Sequence, residues 1–464
     1  MSEVVKNPLS WKGSRVLVVG LARSGRAACL WLASQGAEVW GTDRQSKVEG
    51  QASLQAVGVQ LALGGDSLAL LEQVDHVVLS PGVPETSPMV RRARELGLPV
   101  IGELAMAAEA STGTPMMAIT GTNGKSTTTA LCAHLLRVAG FRVFLGGNIG
   151  LPLTEMLLDG SHVDWAVVEV SSFQLEHLGV AEGLAPRVGV WLNLTPDHLD
   201  RHGSMEVYGD LKARLFAGQG PKDAAVCFVD DEAVASRMQG EGLRSRLLPL
   251  SRREDRLNEV GVWIRGRQLK HLESGRIFEL RAARLAGEHN AENAAAAVAA
   301  VLEAGASPEA VQAGLDSFEG LPHRLEPIRE LGGVRYINDS KGTNPEATAK
   351  SLTSFDVPVV LIGGGQGKGS DYRGLRRVVQ EQVAHVLLLG ADAARMAADL
   401  EGCAEIHLVT DMAEAVSVGR RLAKAGQVVL LSPACASFDM FDDYEHRGRV
   451  FADLVRELDG FDET

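Results

Sequence analysis

Thr114-Pro-Met-Met-Ala-Ile-Thr-Gly-Thr-Asn-Gly-Lys-Ser-Thr-Thr-Thr-Ala130 is the stretch whose reading decides the fold. The apolar run Met116 to Ile119 predicts a short buried strand. It breaks at Gly121-Thr-Asn-Gly124, and a helical segment follows Lys125-Ser126. In that strand–loop–helix context glycines let backbone N–H groups approach phosphates, and the helix N-terminus adds positive potential. Lys125 would neutralise the outer phosphates, and the Ser126 hydroxyl would reach a Mg²⁺. The match to the Walker pattern is imperfect, because Ile119 stands where its first glycine belongs. An ordinary Gly-rich turn before a helix is the plainer alternative. Gly-Lys-Ser at this junction favours a nucleotide-phosphate loop over it.

Composition narrows the setting. A chain of 464 residues suggests about three domains. Its hydrophobic content of 45% and charged content of 23% are those of a globular protein. A formal charge of −13 argues against a sequence-independent nucleic-acid binder. No run of 18 apolar residues occurs, so no membrane insertion is expected. Met1 to Gly13 lacks the apolar core of a signal peptide, so a cytoplasmic location is expected. Cys29, Cys132, Cys227, Cys403 and Cys435 are scattered without a Cys-x-x-Cys, as expected of reduced thiols.

Upstream of the loop, Arg15-Val-Leu-Val-Val-Gly-Leu-Ala-Arg-Ser-Gly25 leads into a helix, then the strand Glu38 to Gly41 and Asp43. That is a Rossmann-like βαβ opening. Ala22 replaces the second glycine of the dinucleotide fingerprint, which weakens a nicotinamide-dependent oxidoreductase reading. The strand His76 to Leu79 ends in Ser80-Pro-Gly-Val-Pro84, a turn of the kind that binds ligands at strand carboxyl ends. Downstream, a strand from Arg142 to Leu145 precedes Gly146-Gly-Asn-Ile-Gly150. The apolar strand from Trp165 ends in Glu169, placed where phosphate-loop enzymes hold Mg²⁺. After the strand Val188 to Asn193, Asp197, His198, Asp200 and His202 crowd one loop, a pattern favouring a metal or phosphate site. Lys212 falls among apolar residues of a helix, and on its own pattern reads as a surface lysine with a buried stem. Residues 220–285 are strand-like and polar, as at the edge of a domain. Gly287 to Asn293 then leads to an Ala-rich helix from Ala294 to Ala304, and Asn290 or Asn293 could cap it or face a ligand.

The last segment alternates strands and helices: a strand ending at Ile337-Asn-Asp339, then Val359 to Gly363, His385 to Gly390 and Gln427 to Leu431. Its polar loops again follow strand carboxyl ends. The whole chain is therefore expected to be α/β with mainly parallel sheets in three domains. These are a Rossmann-like 1–104, a phosphate-loop ATPase 105–320 and a Rossmann-like 321–464, with the active site where they meet.

With these motifs in place, the chain resembles the Mur ligases of bacterial peptidoglycan synthesis over essentially its whole length. The shared motifs are Gly121 to Thr127, Glu169-Val-Ser-Ser-Phe-Gln-Leu-Glu176, Asn193 to Arg201, His289-Asn290 and His323-Arg324. Those also suit sister ligases and, more loosely, folylpolyglutamate synthases. Asn338-Asp-Ser-Lys-Gly-Thr-Asn344 and Leu431-Ser-Pro-Ala-Cys-Ala-Ser437 are similar to the D-glutamate-adding branch, and the Asp-Asn-Pro-Arg signature of the diaminopimelate- or lysine-adding sister is absent.

The resemblance implies ATP-dependent joining of D-glutamate to UDP-N-acetylmuramoyl-L-alanine through an acyl phosphate and a tetrahedral intermediate, by a cytoplasmic monomer. It implies catalytic roles for Lys125, Glu169, His198 and Lys212. ATP would be held by Gly121, Thr122, Asn123, Gly124, Lys125, Ser126, Thr127, Asn290, Asn293, Arg324 and Asp339. Two Mg²⁺ ions would be held by Ser126, Glu169, His198 and Lys212, the last as a CO₂-derived carbamate. Leu21, Ala22, Asp43, Ser80, Asn148 and His198 would take the UDP substrate, and Thr343, Lys368, Ser437 and Tyr444 the D-glutamate. The alternatives are a sister ligase for another amino acid, a folylpolyglutamate-synthase-like ligase, an NAD-dependent oxidoreductase and a nucleotide-binding regulator without ligase activity. The oxidoreductase reading leaves the Gly121 loop and Glu169 without a task.

Overall fold

The computed structural model describes residues 11–178, 184–239, 243–285, 287–367 and 370–458. The chain forms two compact units, one up to Glu319 and one from Gly320.

The first unit holds two sheets. One comprises β1 (Arg15–Val19), β2 (Glu38–Asp43), β3 (Gln60–Leu63), β4 (His76–Leu79) and β5 (Val100–Gly102), all parallel in the order β3-β2-β1-β4-β5. Alternate residues of β1 feed opposite cores: Val16 and Val18 pack on one face, Leu17 and Val19 on the other. Burial on both faces is why the strand reads as an unbroken apolar run. Gly25, in the helix after β1, has a packing task. A Cβ there would stand 1.8 Å from the Gly20 carbonyl, so only glycine lets helix and strand end approach this closely.

The second sheet comprises β6 (Met116–Thr120), β7 (Val143–Gly147), β8 (Trp165–Glu169), β9 (Val188–Trp191), β10 (Ala224–Phe228), β11 (Arg246–Ser251), β12 (Val262–Arg265), β13 (Gln268–His271) and β14 (Ile277–Glu279). Their order is β14-β13-β12-β11-β10-β9-β6-β8-β7. The polar stretch 220–285 thus extends this same sheet, and β12 to β14 pair antiparallel at its rim. The chain turns back after β6 to both sides, β8 on one and β9 on the other, so the loops following β6 and β9 flank a topological switch point.

Two local expectations change. The Ala-rich helix runs Glu288–Glu303 with Gly287 at its N-cap, starting six residues before Ala294. Asn290 and Asn293 therefore sit inside its first turns and do not cap it. The backbone was free to start earlier because Glu288 to Asn293 contains no Pro or Gly. Lys212 is not at the surface: it is 1% exposed, in the helix Met205–Ala213.

The second unit has one sheet of β15 (Glu326–Leu331), β16 (Val334–Asn338), β17 (Val359–Gly364), β18 (Val383–Leu389), β19 (Glu405–Leu408) and β20 (Val428–Leu431). The order is β15-β16-β20-β17-β18-β19, parallel except for β15. Val359 and Leu361 point to one core and Val360 and Ile362 to the other, so helices cover both faces. Among the described residues no helix is long and apolar enough to cross a membrane.

Candidate active site

The loop Gly121–Gly124 is stitched to the loop after β9. Thr122 N–H donates to the Asn193 carbonyl at 3.0 Å, and Asn123 N–H to Asn193 Oδ1 at 2.8 Å. Thr195 N–H donates to Thr122 Oγ1 at 3.0 Å. Gly124, at φ +84°, is the N-cap of the helix Lys125–Val138. A Cβ there would meet Asn293 Oδ1 at 2.2 Å, which puts Asn293 directly against the loop. Lys125 Nζ folds back onto the Gly121 and Thr122 carbonyls at 2.9 and 2.8 Å. Ser126 and Thr127 open the helix, half-buried.

Glu169 ends β8 at 2% exposure. Its Oε1 accepts from Asn148 Nδ2 at 2.7 Å, while Oε2 is buried without a partner. A bare buried carboxylate oxygen is costly, and a cation relieves that cost. Carboxylate and hydroxyl oxygens from Glu169 and Ser126 are the donors Mg²⁺ takes, so these residues fit that ion.

Lys212 Nζ donates to the Gly121 carbonyl at 2.8 Å and lies 4.5 Å from the centre of the Tyr208 ring. Burial, and next the charge of Lys125, lower its pKa to about 6. The amine is therefore neutral at neutral pH, the state that reacts with CO₂.

His198 is exposed at a left-handed backbone position (φ +52°) on the N-cap of Leu199–His202. Its ring lies 4.8 Å from that of Phe173. His202, part of the same polar cluster, is committed elsewhere. It is 8% exposed, its Nε2 meets Ser172 Oγ at 3.0 Å and its Nδ1 lies 3.2 Å from Glu176. Burial lowers its pKa, and both ring nitrogens are taken up by these contacts. The Asp200 side chain lies outside the described residues.

A cleft of about 260 Å³ opens at the carboxyl ends of β1, β2 and β4, lined by Gly20, Ala22, Asp43, Ser80 and their neighbours. Leu21 is buried beside it. Both Asp43 oxygens are engaged, Oδ2 by Leu21 N–H at 2.7 Å and Oδ1 by Gln45 N–H at 2.9 Å. Through these two bonds Asp43 shapes this loop. Asn290 Nδ2 bonds the Arg284 carbonyl at 3.2 Å, fastening the start of its helix.

In the second unit the loops after β16, β17 and β20 interlace: Ala434 N–H bonds Gly342, and Gly364 N–H bonds Pro433. Asp339, 3% exposed, ties them together, accepting from Leu325 N–H at 3.2 Å, Ser351 Oγ at 2.6 Å and Ser432 Oγ at 2.7 Å. Arg324 is exposed between His323 and Leu325, both at positive φ (61° and 44°). Thr343 is half-buried and Ser437 is 2% exposed. Lys341 Nζ lies 4.1 Å from the centre of the Tyr444 ring. Lys368 lies outside the described residues.

Two site residues escaped the sequence reading. Tyr208 lies one helical turn before Lys212, bonds Thr122 Oγ1 at 3.4 Å and stacks on His202; the i, i+4 spacing was the available signal. Arg447, 2% exposed, holds Ser340 through Oγ and O and the Cys435 carbonyl. No sequence signal separates it from a surface arginine.

Three family models match along the chain. They are a Mur ligase MurD-like N-terminal domain over 14–102, a Mur ligase middle domain over 119–301, and a Mur ligase glutamate ligase domain over 323–435. A UDP-N-acetylmuramoylalanine--D-glutamate ligase from Pelotomaculum thermopropionicum is 46% identical, over 96% of this chain and 98% of its own. One from Geotalea daltonii is 43% identical, over 97% and 99%. Among solved structures, UDP-N-acetylmuramate-alanine ligase MurC from Thermotoga maritima aligns with TM-score 0.57 at 20% identity, covering 96% of this chain and 99% of that one. FolC from E. coli, in complex with DHPP and ADP, aligns with TM-score 0.56 at 18% identity, covering 76% and 92%. These two likenesses speak to the fold.

Proposed function

The chain belongs to the Mur ligase family, and we propose that it is the ATP-dependent ligase that adds D-glutamate to UDP-N-acetylmuramoyl-L-alanine in peptidoglycan precursor synthesis. The observation that carries this is 46% identity, across nearly the whole chain, to a ligase of that name.

A carboxylate is a poor acyl donor until one of its oxygens becomes part of a leaving group. The alanyl carboxylate attacks the terminal phosphorus of ATP, ADP departs, and an acyl phosphate forms. The amine of D-glutamate then adds to the acyl carbon, and the tetrahedral intermediate loses phosphate to leave the amide. Backbone N–H groups of Gly124 to Thr127, with Lys125, cradle the ATP phosphates, while the Thr122 and Asn123 N–H groups hold the loop to Asn193. Lys125 must leave the Gly121 and Thr122 carbonyls to do so. Ser126 and Glu169 would hold one Mg²⁺, and His198 with Lys212 a second. Bound Mg²⁺ would offset the repulsion between ATP and the substrate carboxylate. Lys212, neutral because it is buried, forms an N–C bond to CO₂ and releases a proton, giving an anion at its tip.

In this reading segment 1–104 takes the UDP end at Leu21, Ala22, Asp43 and Ser80, with Asn148 on the muramoyl part. Segment 105–320 takes ATP, assisted by Asn290 and Asn293. Segment 321–464 contributes Arg324 and Asp339 to ATP, and Thr343, Lys368, Ser437 and Tyr444 to the carboxylates of D-glutamate. Asp339 acts by arranging the loops it ties together, since its oxygens are already engaged. The enzyme would work as a cytoplasmic monomer.

The test is phosphate release from ATP with UDP-N-acetylmuramoyl-L-alanine, comparing D-glutamate with L-glutamate, L-alanine and meso-diaminopimelate. Release with D-glutamate alone is expected. Release with another of these amino acids moves the chain to a sister ligase, and no release with any overturns the reading.

A further inference from the structure

Three potential metal donors converge on the outer strands of the second unit's sheet. In the parallel register of β18 with the edge strand β19, His385 pairs with Glu405 and Leu387 with His407. Residues two apart on a strand share a face, so Glu405 and His407 point the same way, and His385 comes to lie beside them. A register shift against β17, with Ala384 as the extra residue, immediately precedes His385. Such bulges re-aim the side chains that follow them. His385 and Glu405 lie toward the amino ends of their strands, whereas the loops holding Asp339, Thr343 and Ser437 follow the carboxyl ends.

One donor atom from each residue lies within 4.8 Å of the other two. His385 Nδ1 and His407 Nε2 are 3.4 Å apart. The Glu405 carboxylate reaches both, Oε2 at 3.4 Å from His385 Nδ1 and Oε1 at 3.6 Å from His407 Nε2. Ligands about 2.0–2.1 Å from a tetrahedral zinc ion stand roughly 3.3–3.4 Å from one another. An octahedral ion with bonds of about 2.0–2.1 Å, such as Mg²⁺, needs edges nearer 2.9 Å and favours oxygen donors throughout. The 3.4 Å nitrogen–nitrogen spacing and the N₂O donor set both select a tetrahedral ion of the zinc class.

We propose that His385, Glu405 and His407 bind one divalent transition-metal ion, zinc in the first place, with water as the fourth ligand. The ion clamps edge strand β19 to β18. Both imidazoles ligate through nitrogens without a proton, and the ion replaces their mutual contact. The site is independent of the ligase reaction and of the Mg²⁺ held near Glu169.

The test uses untagged full-length protein, dialysed against zinc in excess Mg²⁺ so that the oxygen-lined site is filled, with Glu405→Gln and His407→Gln in parallel. Glu405 is exposed, so its replacement leaves the fold intact, as circular dichroism should verify. The wild type is expected to retain one zinc more than either variant. With Co²⁺ in place of zinc it is expected to show the intense visible bands of a tetrahedral centre, absent from both variants. Equal zinc content in all three proteins, or a weak octahedral cobalt spectrum in the wild type, overturns the proposal.

Discussion

Replacing Lys212 by Met keeps the length of the side chain and removes its titrating amine. In the folded chain that amine titrates at about 6, against 10.5 unperturbed, because burial and then the Lys125 charge disfavour the ammonium. Between those pH values the unfolded chain holds one proton more than the folded chain, so wild-type stability rises with pH across the window. Each pH unit is worth about 1.4 kcal/mol, giving a full swing of about 6 kcal/mol. From pH 7 to pH 9 the wild type should therefore gain about 3 kcal/mol relative to Lys212→Met. All other titrations are common to both proteins and cancel in the difference. All six tryptophans, Trp11 to Trp263, lie before Gly320. Urea unfolding followed by tryptophan fluorescence thus reports on the unit that contains Lys212. The buffers must be free of CO₂, since a carbamate would add its own titration. Stability curves that run parallel from pH 7 to pH 9 would refute the claim that Lys212 is neutral in the fold. The variant should also lose ligase turnover.

Lys125→Ala should lower turnover by about two to three orders of magnitude, the usual cost of removing one charge-stabilising donor, with an unchanged circular dichroism spectrum; full activity would sink the phosphate-loop assignment. Glu169→Gln keeps an acceptor for Asn148 and removes the negative charge, so the Mg²⁺ concentration for half-maximal activity should rise roughly tenfold or more. Gly124→Ala places a Cβ against Asn293 Oδ1 at a left-handed backbone position. It should destabilise the chain by about 1–2 kcal/mol and raise KM for ATP. Thermal melts read the first effect and steady-state kinetics the second.

Several features of this protein were legible in the residues alone because their causes are local. Met116 to Ile119 forms most of a strand because its side chains are apolar on both faces. Gly121 to Gly124 is a loop because Gly124 adopts a positive φ, and Lys125 to Val138 continues as a helix that its composition favours. The acid ending β8 and the polar loops after each strand follow from the same alternation of strand and helix. The resemblance to one family rests on those local patterns. What they could not decide is where a side chain lies relative to residues far along the chain. Lys212 reads as a surface lysine until Gly121 and Tyr208 close over it. Glu169 reads as a strand-end acid until Asn148 engages one oxygen and burial leaves the other bare. His202 resembles a ligand until Ser172 and Glu176 claim both its nitrogens. Burial and desolvation set the charge of these groups, and both are properties of the assembled fold.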